Sequence, residues 1–98
     1  MSNLKFRARC NVTGQVLEQA YNGQCFQWLH DGQDGIIIEQ YTGLKDKNGA
    51  EVYEGDIVYL AGFGNYEAKF PFIELYEAGA EGDIGCIIGN IYENPDLL

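Results

Sequence analysis

Apolar and polar residues alternate one for one at the start of the chain, where Lys5, Arg7 and Arg9 separate Leu4, Phe6, Ala8 and Cys10. A period of two describes a half-buried strand, here with a basic outer face. Thr13-Gly14 ends it with a turn, and "QVLEQAYNG" reads as a second strand or one short helical turn. Asn22-Gly23 is a hairpin signal. In "QCFQWLH", Phe26, Trp28 and His30 fall on one strand face, with Cys25, Gln27 and Leu29 on the other. "DGQDG", residues 31–35, has turn chemistry, and the β-branched "IIIEQY" follows as a strand.

The centre of the chain, "QYTGLKDKNGAEVYEGDIVYL" from Gln40 to Leu60, predicts two strands around a tight loop at Asp46-Lys47-Asn48-Gly49. Gly43 and Gly49 are expected in turns and Asn48 in a left-handed position, while Gly55-Asp56 launches the strand "IVYLAG". "NYEAKFPF" reads as a strand interrupted by Pro71, which belongs at an edge or bend. "ELYEAGAEGDIG" is too rich in glycine for more than one short helical turn. "CIIGNIY" is the last strand, and Asn94-Pro95 ends the ordered fold before Leu97 and Leu98. Five to seven short antiparallel strands with at most one or two helical turns predict a mostly-β domain, a closed small barrel or a sandwich.

Length agrees with a single domain over residues 1–98. A chain of this size buries roughly 60–68% of its unfolded surface, enough for one core without staples. Charge adds an asymmetry. Of the formal −9, residues 1–49 contribute nothing, because five basic and five acidic side chains balance; residues 50–98 hold ten acidic and one basic. Such a surface repels a phosphate backbone and favours solubility, a basic protein partner or mimicry of a nucleic acid's charge. The apolar runs are too short for a membrane-spanning helix, and "MSNLKFRARC" lacks the apolar core of a signal peptide, so an intracellular protein is expected.

Side chains for catalysis are scarce. Ser2 is the only serine, Thr13 and Thr42 lie in predicted turns, and His30 is the only histidine, leaving Cys10 or Cys25 with His30 as the one nucleophile–base pairing. Cys10, Cys25 and Cys86 are odd in number and widely spaced, which fits neither a disulfide framework nor a zinc site and reads as three small buried hydrophobes. Glu51, Glu54 and Asp56 read as solvated turn residues rather than an acid–base pair. "DGQDG" and "DKNGAE" lack the spacing of a calcium loop, and the glycines from Gly62 to Gly89 fit turns and bulges better than a phosphate cradle. No cofactor or metal is therefore expected. The seven tyrosines, five phenylalanines and Trp28 are mostly core, and any surplus suits a protein-binding surface better than base stacking, which needs cations nearby.

"LKFRA" at 4–8, "QYTGLKDKNGAEVYEGDIV" at 40–58 and "IIGNIYENPDLL" at 87–98 resemble the three blocks of the YopX family, in order and with the last at the C-terminus. Arg9 and Cys10 stand where the family usually has Trp and Asp, and residues 11–39 and 61–86 match no block. The resemblance implies a protein encoded by a phage or prophage, an SH3-like barrel, and a bacterial cytoplasm, and it supplies no catalytic residues. Gly43, Asn48, Gly49, Gly55, Asp56, Gly89, Asn90 and Pro95 are its structural signature. The expected function is a non-enzymatic module that binds a protein or itself, with Lys5, Arg7, Arg9 and Trp28 as a candidate binding surface. A nucleic-acid-related role, through that basic strand or by acidic mimicry, is the alternative, and a small hydrolase ranks last.

Overall fold

The described residues form two three-stranded antiparallel sheets. In the first, β1 (Phe6–Cys10) pairs with β2 (Ile36–Lys45), running from Phe6 opposite Gln40 to Cys10 opposite Ile36, and β2 pairs onward with β3 (Glu51–Tyr53). The second has the order β5-β4-β6, from β4 (Asp56–Leu60), β5 (Gly64–Glu67) and β6 (Ile84–Asn90). A helix, α1 (Ile73–Glu81), lies between β5 and β6 in the chain, and a 3-10 turn spans Pro95–Leu97. This computed structural model describes residues 5–10, 13–16 and 35–98. The expected strand around Trp28, the Asn22-Gly23 hairpin, and Cys25 and His30 fall outside the described residues. The fold is mostly β, as expected, but its two sheets do not close into one barrel among the described residues.

The loop at 46–49 joins β2 to β3 as the sequence predicts, by a different device from the one expected of Asn48. Gly49 alone takes the left-handed backbone, at φ 86°, while Asn48 has no positive φ and donates its N–H to Asp46 Oδ1 at 2.9 Å. Gly43 sits inside a ten-residue strand rather than in a turn. Its φ of 89° absorbs a bulge where the β2–β3 register shifts between Tyr41 and Lys45. Thr42 patches the interrupted ladder, its hydroxyl donating to the Val52 carbonyl at 2.8 Å and accepting from the Leu44 N–H at 3.2 Å.

The core gathers Val52, Val58, Leu60, Tyr66, Ala68, Phe72 and Leu75, with Leu44, Ala78, Ile84 and Ile87 packed against it. It therefore needs α1, and α1 is longer than its glycine content predicts. Leu75 is its buried anchor. A Cβ on Gly79 would stand 3.3 Å from Ile84 and 3.4 Å from Leu44, so this glycine brings the helix close to both sheets. Gly82 takes φ 76° and ends the helix, with the Asp83 N–H closing onto the Ala78 carbonyl at 2.8 Å. Residues 70–71 form a bend, as Pro71 predicts, but the strand before it stops at Glu67. The C-terminus is also more ordered than Asn94-Pro95 predicts: Asn65 Nδ2 donates to the Leu97 carbonyl at 2.8 Å.

Asp46 ties the hairpin loop to the other sheet. Its Oδ1 accepts from the N–H groups of Asn48 and Ala50, both at 2.9 Å, and its Oδ2 from that of Ile87 in β6 at 3.0 Å. Burial works to raise its pKa, but the N–H groups of Ile87, Ala50 and Asn48 outweigh it and hold the carboxyl below the ordinary 3.8. Hydrogen bonds to a charged acceptor contribute about 1.5–3 kcal/mol each, so Asp46→Ala is expected to destabilise the fold by at least about 2 kcal/mol in urea titrations at pH 7. A lowered folded pKa means stability that is complete above the ordinary carboxylate range and lost as pH falls through the folded value. The variant should therefore lose less stability than the parent between pH 5 and about pH 3.

Candidate functional site

Lys5, Arg7 and Arg9, expected on an outer face, are each drawn into the molecule's own contacts. Arg9 is 2% exposed, and its Nε donates to Glu39 Oε2 at 3.1 Å and its Nη1 to Glu93 at 3.0 Å and to the Gly14 carbonyl. Arg7 Nε donates to the other Glu39 oxygen and its Nη2 to Asp56 Oδ1, both at 2.6 Å. Lys5 pairs with Glu51. Each cation also lies over a ring: Lys5 over Tyr41, Arg7 over Tyr53 at 4.4 Å, and Arg9 over Tyr92. The alternation along β1 does not produce the wet face that its sequence predicts. Instead Ala8 is buried on one side and Arg9 on the other, so period two here separates apolar packing from ionic packing.

Of the signature residues, Gly55, Asp56 and Asn90 converge on this network, whereas Gly43 and Gly49 lie away from it along β2 and its hairpin. Asp56 stands opposite Asn90 in the β4–β6 ladder, and Asn90 Nδ2 donates to Asp56 Oδ1 at 3.4 Å. Asp56 Oδ2 accepts the Tyr53 N–H at 2.8 Å, so the carboxylate expected to be solvated is buried and fully used. Glu51, expected in the same class, is half-buried and paired with Lys5. Gly55 takes φ 92° between β3 and β4, and a Cβ there would stand 2.8 Å from Glu39 Oε2. Gly89 has no room for a side chain beside Asn94 and Leu97. Pro95 begins the C-terminal 3-10 turn after Asn94, whose side chain accepts the Asn90 N–H. Asn48 lies apart from them in the exposed hairpin loop, its amide 3.4 Å from Cys86.

Burial opposes the charge of Arg7, but Asp56 and Glu39 outweigh it and raise its pKa. Burial, then Glu51, push the Tyr53 hydroxyl up to about 12. Tyr92 is raised by burial and by Glu39 and Glu54. Beside the network a cavity of about 220 Å³ is lined by Glu39, Glu54, Gly55, Glu67, Lys69 and Tyr92, among others. Among the described residues, no group of three His, Cys, Asp or Glu side chains is arranged to hold a metal. Cys10 and Cys86 are half-buried, not the buried hydrophobes expected. Trp28 and the Cys–His pairing lie outside the described residues.

These converging blocks belong to one known pattern. The YopX protein family model matches residues 1–98. The chain belongs to the YopX family. That match runs through residues 11–39 and 61–86, beyond the three blocks of resemblance. Among solved structures, the chain is similar to protein EF1440 from Enterococcus faecalis, at 24% identity and a TM-score of 0.53, covering 100% of this chain and 99% of that one. Such a likeness supports the fold alone. No curated protein matches the sequence.

A different surface of this YopX chain is set by the fold rather than by any local sequence pattern. Phe63, at the tip of the β4–β5 turn, is 62% exposed, and Phe70 is 64% exposed. They line a groove of about 330 Å³ with Tyr66, Pro71 and Glu74. Phe63 and Glu74 also line a second groove, of about 200 Å³, against Glu77, Glu81 and Asp83. Phe63 meets Tyr66 edge to face at 5.7 Å, and Phe70 meets Phe72 in the same way, so buried rings brace both exposed ones. In the sequence, "GFG" and "KFPF" carry the signal as aromatics at turns, but only the fold sets them together.

Breaking the ionic network from one side leaves a buried charge without its partner. Glu39→Gln is expected to cost about 3–5 kcal/mol, measured as a lower urea midpoint at unchanged slope. Gly55→Ala should destabilise too, because it combines a left-handed backbone with a collision against Glu39.

Proposed function

We propose that this YopX chain is a non-enzymatic protein-binding module whose docking surface is the paired groove around Phe63 and Phe70. The observation that carries the reading is two large aromatic side chains, each more than three-fifths exposed and each in edge-to-face contact with a buried ring, beside concave surface. Exposed aromatics cost solubility, and rings braced by buried neighbours lose little further entropy when a partner covers them. A nucleic-acid interface on β1 draws less support, because Arg7 and Arg9 already neutralise Glu39, Asp56 and Glu93. The proposal keeps the phage or prophage setting and the bacterial cytoplasm that the family resemblance implies. It also keeps an SH3-like arrangement, supported by the two antiparallel sheets joined through the turn at Gly55.

A photo-crosslinking phenylalanine analogue at position 63 tests this in cells that express the chain. The expected result is an adduct to a discrete protein from position 63 and none from position 47 in the exposed hairpin loop. The same adduct from both positions, or none from position 63, would count against the surface.

A further inference from the structure

We infer that the occupant of the paired groove is a basic peptide segment of another protein, with an apolar anchor between Phe63 and Phe70 and cations along α1. This inference rests on the protein-binding reading and names the class of partner.

The apolar part of the surface comes from Phe63, Phe70 and Pro71, in a groove where Lys69 is the one cation beside Glu67 and Glu74. Its acidic half is a row on α1. Glu74, Glu77 and Glu81 are spaced three and four residues apart, so they share one helix face, and Asp83 continues the row beyond the helix end. Like charges at that spacing repel. Glu77 and Glu81 also approach the C-terminal end of α1, where the helix carbonyls already carry partial negative charge and no basic residue stands in the last turn. Among the described residues, no cation pairs with Glu77, Glu81 or Asp83, in contrast with the carboxylates of the buried network. The row thus works against its own helix, and a partner's Lys or Arg side chains relieve both the repulsion and the dipole clash.

Charge also discriminates among occupants. A second copy docking face to face would set each acidic row against its twin, because a two-fold interface presents the same patch on both sides. An RNA or DNA strand meets the same repulsion. A flexible basic segment with one or two apolar side chains satisfies both halves of the groove.

Fluorescence anisotropy with labelled nine-residue peptides provides the test. Two Phe or Leu anchors are kept in every peptide, and the other positions are filled with Lys/Arg, Gln/Ser or Glu/Asp. The basic set is expected to bind at least about tenfold more tightly than the neutral set at low salt, and to lose that advantage at about 0.5 M salt. The paired change Glu77→Lys and Glu81→Lys should abolish the preference while leaving the fold intact, since it improves the helix-end electrostatics. Phe63→Ser should weaken the basic and neutral sets alike.

Equal binding of basic and neutral peptides, both lost in Phe63→Ser, would overturn the basic partner and leave the docking surface standing. Binding by no set, or binding indifferent to Phe63→Ser, would overturn both. A dimer of the parent chain in sedimentation, dissolved by Phe63→Ser, would replace the peptide with a second copy.

Discussion

The structure turns on one carboxylate. Glu39 is 2% exposed and accepts from two guanidinium groups, Arg7 on one oxygen and Arg9 on the other. Removing such charges from water costs several kcal/mol per ion, and only full satisfaction of every donor and acceptor offsets it. Among the described residues that condition is met, as no buried side-chain nitrogen or oxygen lacks a partner. The requirement propagates outward. It fixes the β1–β2 register, in which Arg7 lies directly opposite Glu39, because a one-residue slip would turn both to the wrong face. It also requires a residue without a Cβ at Gly55, and it draws Glu93 and Tyr92 of the C-terminal segment over Arg9.

Seen this way, the three blocks of the family resemblance become one physical object. Arg7 belongs to the first, Asp56 to the second and Asn90 to the third, and they meet through Asp56 Oδ1. The network specifies how the two sheets join. Replacing buried ion pairs by apolar residues of the same shape is often neutral or stabilising, but many apolar contacts tolerate shifted registers, whereas buried ions tolerate very few. The aromatic groove lies in the segment after Leu60, which none of those blocks covers; there Glu74 accepts from the Tyr66 hydroxyl at 3.3 Å, while Glu77, Glu81 and Asp83 pair with no cation among the described residues. That segment does both jobs: Phe72 and Leu75 enter the core, while Phe63 and Phe70 face outward.

Local signals were legible where local chemistry decides. The strand at residues 6–10, the tight loop ending in Asn48-Gly49 and the start of β4 after Gly55 follow from alternation and from turn residues. Helix α1 is longer than the sequence predicts because Gly79 counts against a helix in isolation, whereas in the fold it permits close contact with Leu44 and Ile84. Gly43 reads as a turn until the strand is seen to continue through it as a bulge. The sequence predicts a wet basic face on β1 because Lys and Arg are rarely buried without partners, and its partners stand far away in sequence.

That distance divides the two sources of information. Sequence alone determined the mostly-β class, the turn chemistry, the concentration of negative charge after residue 49 and the family, because each depends on residue type or short spacing. Tertiary structure decided which charges are buried and which rings are exposed. Arg7 finds Asp56 49 residues away and Arg9 finds Glu93 84 residues away. A charged side chain belongs inside only when its counter-charge is delivered to the same place, and delivery over such separations is a property of the assembled sheets.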